Sequence, residues 1–244
     1  MNQDAKKKAL VLGVGAEKGL GAALCFRFAK EGHHVFVAGR TLSKLELVCE
    51  TVRSNGGEAT PVVCDGTIEA DVVALFKTAK DNGAGSIDLA VFNVGNNMPG
   101  RISEMEADYF EQAWRLVCFS GFLFGKEAAR SLLPRGGVVL FTGASASLRG
   151  KASFGAFNSA KSALRTFAQA LAKEHASEGL HVGHVIVDGG IAGEKAFNRN
   201  PKLLDHQDQL ISLEGLTDAY WYLYQQDKQA WTFEMDIRTS QENW

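Results

Sequence analysis

Residues 9–21 read ALVLGVGAEKGLG, an apolar run that breaks into glycines at Gly13, Gly15, Gly19 and Gly21. Ala9–Val14 has the length and apolar content of a buried strand, and Leu20–Lys30 reads as a helix that ends near Gly32. Glycines at such a turn let the backbone bend tightly and approach a ligand closely. The helix that follows offers free N–H groups and a partial positive charge at its start, which suits a diphosphate. The spacing GxGxxxGxG is one residue longer than the dinucleotide fingerprint G-x-G-x-x-G. A purely structural turn would also use glycines. Their place between the first strand and the first helix instead predicts dinucleotide binding at Gly15, Lys18, Gly19, Leu20 and Gly21, with Lys18 adding a positive charge.

The same alternation continues outward. Val35–Ala38, Ala59–Val63, Ile87–Phe92, Val138–Phe141, Val182–Val187 and Thr232–Ile237 read as strands. Leu42–Arg53, Ala70–Asp81, Phe154–Ala176 and Thr217–Gln225 read as helices, and Ala107–Leu133 as one long helical region stopped by Pro134. This predicts an α/β fold: a single-domain, Rossmann-type, doubly wound parallel sheet with helices on both faces, spanning residues 1–244. The stretch Gly189–Asp205 reads as one long irregular loop, a lid or a disordered segment. In such a sheet ligands bind beyond the carboxyl ends of the strands. Function is therefore expected in the loops after Val14, Ala38, Val63, Phe92, Phe141 and Val187.

Composition narrows the partners. The 244 residues carry 26 basic and 28 acidic side chains, a net charge of −2 with no general field for nucleic acid. Lys6, Lys7 and Lys8 read as a solvated tail. No apolar run is long enough to span a bilayer, and Ala9–Ala16 is too short and glycine-interrupted for a signal peptide. Cys25, Cys49, Cys64 and Cys118 lie far apart without metal-ligand spacing, so no metal and a reducing cytoplasm are expected.

The second strand discriminates between cofactors. An acid about 20 residues beyond the glycine loop would bind the ribose 2′-hydroxyl of NAD. Here the strand runs into Gly39-Arg40-Thr41 with no carboxylate. Arg40 offers a planar fork to a 2′-phosphate, so NADP(H) is expected over NAD, although Arg40 and Lys18 would also pass as surface cations. Asp65, beside Gly66 after the third strand, suits an adenine amino group or a simple turn. Asn93, Val94 and Gly95 after the fourth bring backbone toward the adenosine ribose, or form a turn.

These pieces together resemble the short-chain dehydrogenase/reductase family. Val14-Gly15-Ala-Glu-Lys18-Gly19-Leu20-Gly21 is similar to its TGxxxGxG loop, Phe92-Asn93-Val94-Gly95 to its NNAG motif, and Phe157-Asn-Ser-Ala-Lys161 to its YxxxK motif. Asp188-Gly189-Gly190-Ile191 stands where the family has Pro-Gly, followed by the residue near the nicotinamide carboxamide. The resemblance implies a tetrad of Asn, Ser, Tyr and Lys, from which this chain departs. The Tyr position is Phe157, which has no proton to give. The Ser position falls near Ala144, one residue before Ser145, and the Asn position is Cys118. Lys161 alone survives, on a helical stripe with Phe157, Leu164, Ala168 and Leu171, where its donors are expected to reach a bound ribose rather than another side chain.

The implied function is an NADP(H)-dependent oxidoreductase with an atypical FxxxK site, acting on a small carbonyl, alcohol or imine. Ser145 is a candidate to orient a substrate; Ser153, Tyr109, a side chain of the Gly189–Asp205 loop or a lysine-held water are candidate proton donors, and an iminium substrate would need no acid. Non-catalytic alternatives are an NADP-binding redox sensor or scaffold, and an interaction protein without nucleotide. The resemblance also implies a homodimer or homotetramer built across the two long helices. Small residues from Ala156 to Ala163 fit that packing or an ordinary core. Trp221, Tyr222, Tyr224, Trp231 and Trp244 read as core or interface. His33 and His34 receive no role, and His175, His181 and His184 lack metal-ligand company.

Overall fold

Strands buried on both faces need apolar side chains at every position, and the central runs have them. In the computed structural model, which describes residues 7–83, 85–95, 97, 99–133 and 135–242, these runs form β1 (Lys8–Leu12), β2 (His34–Gly39), β3 (Glu58–Val63), β4 (Ile87–Phe92), β5 (Gly137–Thr142), β6 (Leu180–Asp188) and β7 (Glu234–Arg238). They make one seven-stranded sheet in the order β3-β2-β1-β4-β5-β6-β7, with every pairing parallel. The order reverses between β1 and β4, so a crevice opens at their carboxyl ends. Lys6, Pro134 and Trp244 lie outside the described residues.

Alternate residues of each strand feed two cores. Ala9, Val11, Val35, Val37, Leu89 and Val91 face α1 (Leu20–Lys30), α2 (Leu42–Ser54) and a C-terminal helix, Leu213–Gln225. Leu10, Leu12, Phe36, Ala90 and Phe92 face α3 (Glu69–Asp81) and the long helices that follow β4 and β5. Pro61, which cannot donate to a ladder, sits in the edge strand β3. Among the described residues no helix is long and apolar enough to cross a membrane.

Three stretches differ from the sequence expectation. The helical region from Ala107 is not one helix. It runs as α4 (Ala107–Trp114), a π turn at Arg115–Phe119, and α5 (Ser120–Leu132). The Ser120 hydroxyl donates back to the Leu116 carbonyl across that turn. α6 follows at Gly155–His175. Gly189–Asp205 is not irregular: it contains α7 (Glu194–Arg199) and a 3-10 turn at Pro201–Leu204, which Asn200 caps by accepting the Lys202 N–H. Such short turns carry too few residues to show a period. The C-terminal helix, α8 (Leu213–Gln225), starts four residues before Thr217 because the Ser212 hydroxyl accepts the Gly215 N–H at 3.0 Å.

Candidate active site

The glycine loop after β1 is set by backbone contact. Gly13 has φ +103°, and a Cβ there would lie 2.6 Å from the carbonyl of Asn93, so only glycine fits. Gly15 is the opposite case. A Cβ on it would meet no protein atom within 4 Å, so the loop presents open space there. Gly19 starts α1 without a side-chain cap, which leaves the first N–H groups of the helix available. A diphosphate needs that combination of room and donors. Lys18 is exposed, and its carbonyl accepts the Glu194 N–H at 2.8 Å. Gly193 packs so tightly on that carbonyl that a Cβ would lie 2.6 Å away. The helix α7 is thus seated on the glycine loop.

Arg40 is exposed, directly after β2. Its charge reaches Asp65. Burial pushes the Asp65 carboxyl up, but the Thr67 N–H (2.9 Å), the Thr67 hydroxyl (2.7 Å) and the Arg40 guanidinium outweigh it and hold the group below its ordinary range. Asp65 therefore does form a local turn. Gly66 lies against Leu12 and Ser120.

Asn93 holds its neighbours together. Its amide donates to the Gly13 carbonyl at 3.3 Å, and its oxygen accepts the Thr142 hydroxyl at 3.0 Å. The Thr142 hydroxyl also lies 2.6 Å from the buried Tyr220 hydroxyl of α8. This chain links α8 to the glycine loop. In sequence, Thr142 looks like the polar end of an apolar strand and Tyr220 like one aromatic in an apolar helix, so neither stands out.

Lys161 is 3% exposed. Its Nζ donates to the Thr142 carbonyl at 2.7 Å and, more weakly, to the Val94 carbonyl at 3.4 Å. No side chain takes these donors: main-chain oxygens accept two of the three. Gly95 borders the ammonium, 3.4 Å from where its Cβ would be. The Phe157 ring centroid is 5.9 Å from Nζ. Burial pulls the Lys161 pKa from 10.5 down to about 7. Buried His184 sits on β6, its Nδ1 3.0 Å from Glu234, which Arg165 grips at 2.6 and 2.7 Å. Burial outweighs that carboxylate and drops the His184 pKa to about 4, so the ring stays neutral.

The other tetrad positions offer little. Cys118 lies buried on the π turn, where burial raises its thiol pKa. Ser145 is not held ready for a substrate: its hydroxyl bonds to Asp188. Asp188, 2% exposed, is also met by Arg149 at 3.1 and 3.2 Å and Arg238 at 3.4 Å. Burial raises its pKa, but these partners hold it below the usual range. Asn158, inside the FxxxK stretch, anchors the loop from 146 to 151. It donates to the Ala146 and Arg149 carbonyls at 3.1 and 2.7 Å and accepts the Lys151 N–H at 3.2 Å. Ser153 adopts φ +66°, the one non-glycine residue with positive φ among the described residues. Gly189 (φ +146°) turns the chain out of β6, and Ile191 pairs with Ile211.

A family model described as short chain dehydrogenase matches residues 7–200. Versicolorin reductase 1 of Dothistroma septosporum is 29% identical over 167 residues, 68% of this chain and 62% of that protein. A 3beta-hydroxysteroid dehydrogenase of Mediterraneibacter gnavus is 29% identical over 172 residues, 70% of this chain and 62% of its own. The match thus spans less than two thirds of either relative. The crystal structure of a short-chain dehydrogenase from Rhodopseudomonas palustris is 35% identical and covers 95% of this chain and 98% of its own, with a TM-score of 0.82. An actinorhodin polyketide ketoreductase variant with NADPH shares the fold at 20% identity, with a TM-score of 0.88 over 100% of this chain and 99% of its own. All strands but the last lie inside the residues that match the family model, and the chain belongs to the short-chain dehydrogenase family.

Proposed function

We propose that the protein is an NADP(H)-dependent oxidoreductase acting on a small carbonyl, alcohol or imine through a site that lacks the family's phenolic acid. The observation that carries this reading is Lys161. A buried ammonium with only carbonyls as partners costs stability, and such a cost persists where a ligand uses the group. The open space at Gly15 and the uncapped start of α1 fit a dinucleotide diphosphate. Arg40, with no acid at the end of β2, favours a 2′-phosphate and hence NADP(H) over NAD. Asp65 and Gly66 would flank the adenine, Asn93, Val94 and Gly95 the adenosine ribose, and Gly189 and Ile191 the nicotinamide.

When bound, the dinucleotide supplies or accepts the hydride. The chain's own residues then bind, orient and move the proton. As an ammonium, Lys161 has one hydrogen left for a ribose hydroxyl, and with its pKa brought down to about 7 it is also able to give a proton near neutral pH. Phe157 gives none, and Ser145 must first leave Asp188. A cationic imine needs no proton when it takes a hydride, so this site suits one. The exposed Phe110, Trp114 and Phe122 of α4 and α5 support a homodimer or homotetramer across the long helices. The four free cysteines support a cytoplasmic setting.

A second reading is a non-catalytic NADP-binding sensor or scaffold. It is favoured by the joint loss of donors at Phe157, Ala144 and Cys118. An absorbance screen of NADPH oxidation over ketones, aldehydes and imines separates the two. Oxidation by any member supports the enzyme, whereas tight binding with no oxidation across the panel supports the sensor.

A further inference from the structure

At the amino ends of β1, β4 and β5, the far edge of the sheet from the glycine loop, lies an open cavity of about 510 Å³ lined by Lys7, Glu31, His33, Asp88, Trp221 and Tyr224. None of these residues belongs to the site described above. His33 is 2% exposed and enclosed by the rings of Phe28 (6.4 Å), Trp221 (5.9 Å) and Tyr224 (5.2 Å). Neither of its nitrogens makes a hydrogen bond. Its Nε2 is 3.2 Å from Asp88 Oδ1, yet the two are misaligned and Oδ1 has no hydrogen bond either. Asp88 Oδ2 accepts the Tyr224 hydroxyl at 2.6 Å. His33 and Asp88 line a space large enough for a ligand, with their unpartnered atoms closed to solvent in the wall behind it.

Lys7 indicates which chemistry the cavity accepts. Although 64% exposed, its side chain lays the ammonium 5.5 Å from the Tyr224 ring centroid, 3.0 Å from the Tyr224 hydroxyl and 3.7 Å from Asp88 Oδ2. Behind the opposite wall, the Arg27 guanidinium stands 5.6 Å from Trp221 and binds Glu31 at 2.8 Å. The aromatic faces, the Asp88 carboxylate and the seat that the Lys7 ammonium already occupies there favour a cation. We propose that this cavity is a second ligand site, for a small organic cation of guanidinium or primary ammonium type. The ligand takes the place of the Lys7 ammonium, facing Asp88 Oδ2 and lying against Trp221 and Tyr224.

The test is an NMR titration of the full chain, labelled at histidine and tryptophan, with methylguanidinium and with its neutral analogue methylurea. Methylguanidinium is expected to shift the His33 and Trp221 resonances saturably at millimolar concentration, and methylurea to leave them in place. Lys7→Ala removes the resident competitor and is expected to tighten binding at least about threefold. Asp88→Asn is expected to weaken it by about tenfold or more. Unmoved His33 signals, an equal response to methylurea, or weaker binding in Lys7→Ala would each overturn the proposal. None of the three needs a variant at Asp88, so a folding defect there leaves the decision intact.

Discussion

Replacing Lys161 with methionine keeps most of the length of the side chain and removes its ammonium. The effect on stability follows from the burial of the ammonium. Its folded pKa lies near 7 against an ordinary 10.5. Each unit is worth about 1.4 kcal/mol, so the folded state below pH 7 carries a penalty on the order of 5 kcal/mol for keeping this group charged. The sign is fixed by linkage. Between pH 7 and 10.5 the unfolded chain holds a proton that the folded chain has lost, so stability rises with pH across that window. Below pH 7 both states hold the proton and the penalty is complete. The methionine variant has no such titration. It also leaves the Thr142 and Val94 carbonyls without their donor, at about 1–3 kcal/mol for each buried group, which offsets part of the gain. The pH slope is therefore a cleaner readout than the offset. Urea denaturation from pH 6 to 9 is expected to show wild-type stability gaining up to about 1.4 kcal/mol per pH unit relative to Lys161→Met. Parallel pH curves for the two proteins would show that the ammonium is not desolvated, and the reasoning about Lys161 would fail. The same variant is expected to lose dinucleotide affinity, and its stability relative to wild type to be greater at pH 6 than at pH 9.

Other perturbations address the remaining parts. Gly15→Val places a side chain in the open space of the loop, and should abolish dinucleotide binding by calorimetry while the melting temperature changes little. Arg40→Ala removes charge-assisted bonds worth about 1.5–3 kcal/mol, so NADPH affinity should fall by roughly 10- to 150-fold and NADH affinity far less; equal losses would refute the assignment of the 2′-phosphate. Thr142→Val strands the Tyr220 hydroxyl and the Asn93 oxygen, and thermal unfolding should report a loss of about 2–4 kcal/mol. Phe157→Tyr should raise carbonyl reduction, by up to about 10²-fold if the acid is all the site lacks.

Regular elements were legible because their signals are local and repeated. Leu20–Lys30 and Ile87–Phe92 lie where periodicity places them. The parallel sheet follows from alternation alone. The π turn at Arg115–Phe119 was not legible, since one extra residue per turn barely disturbs an apolar stripe. The helix at Glu194 is too short to show a period. It is held by a main-chain bond to Lys18, a contact between distant residues with no side-chain signature. In the site, the glycines and Lys161 announce themselves by type and spacing. The partners of Asn93, Ser145 and Asn158 depend on which strand ends meet in space. Asp188 engages Ser145 only because β6 and the loop after β5 end side by side.

The most direct test of the central claim is a calorimetric titration of NADPH and of NADH into the folded wild-type chain. The account predicts one saturable site per chain, tighter for NADPH, that disappears in Gly15→Val. An absence of binding heat with either nucleotide, confirmed by unchanged melting temperature at millimolar ligand, would contradict it.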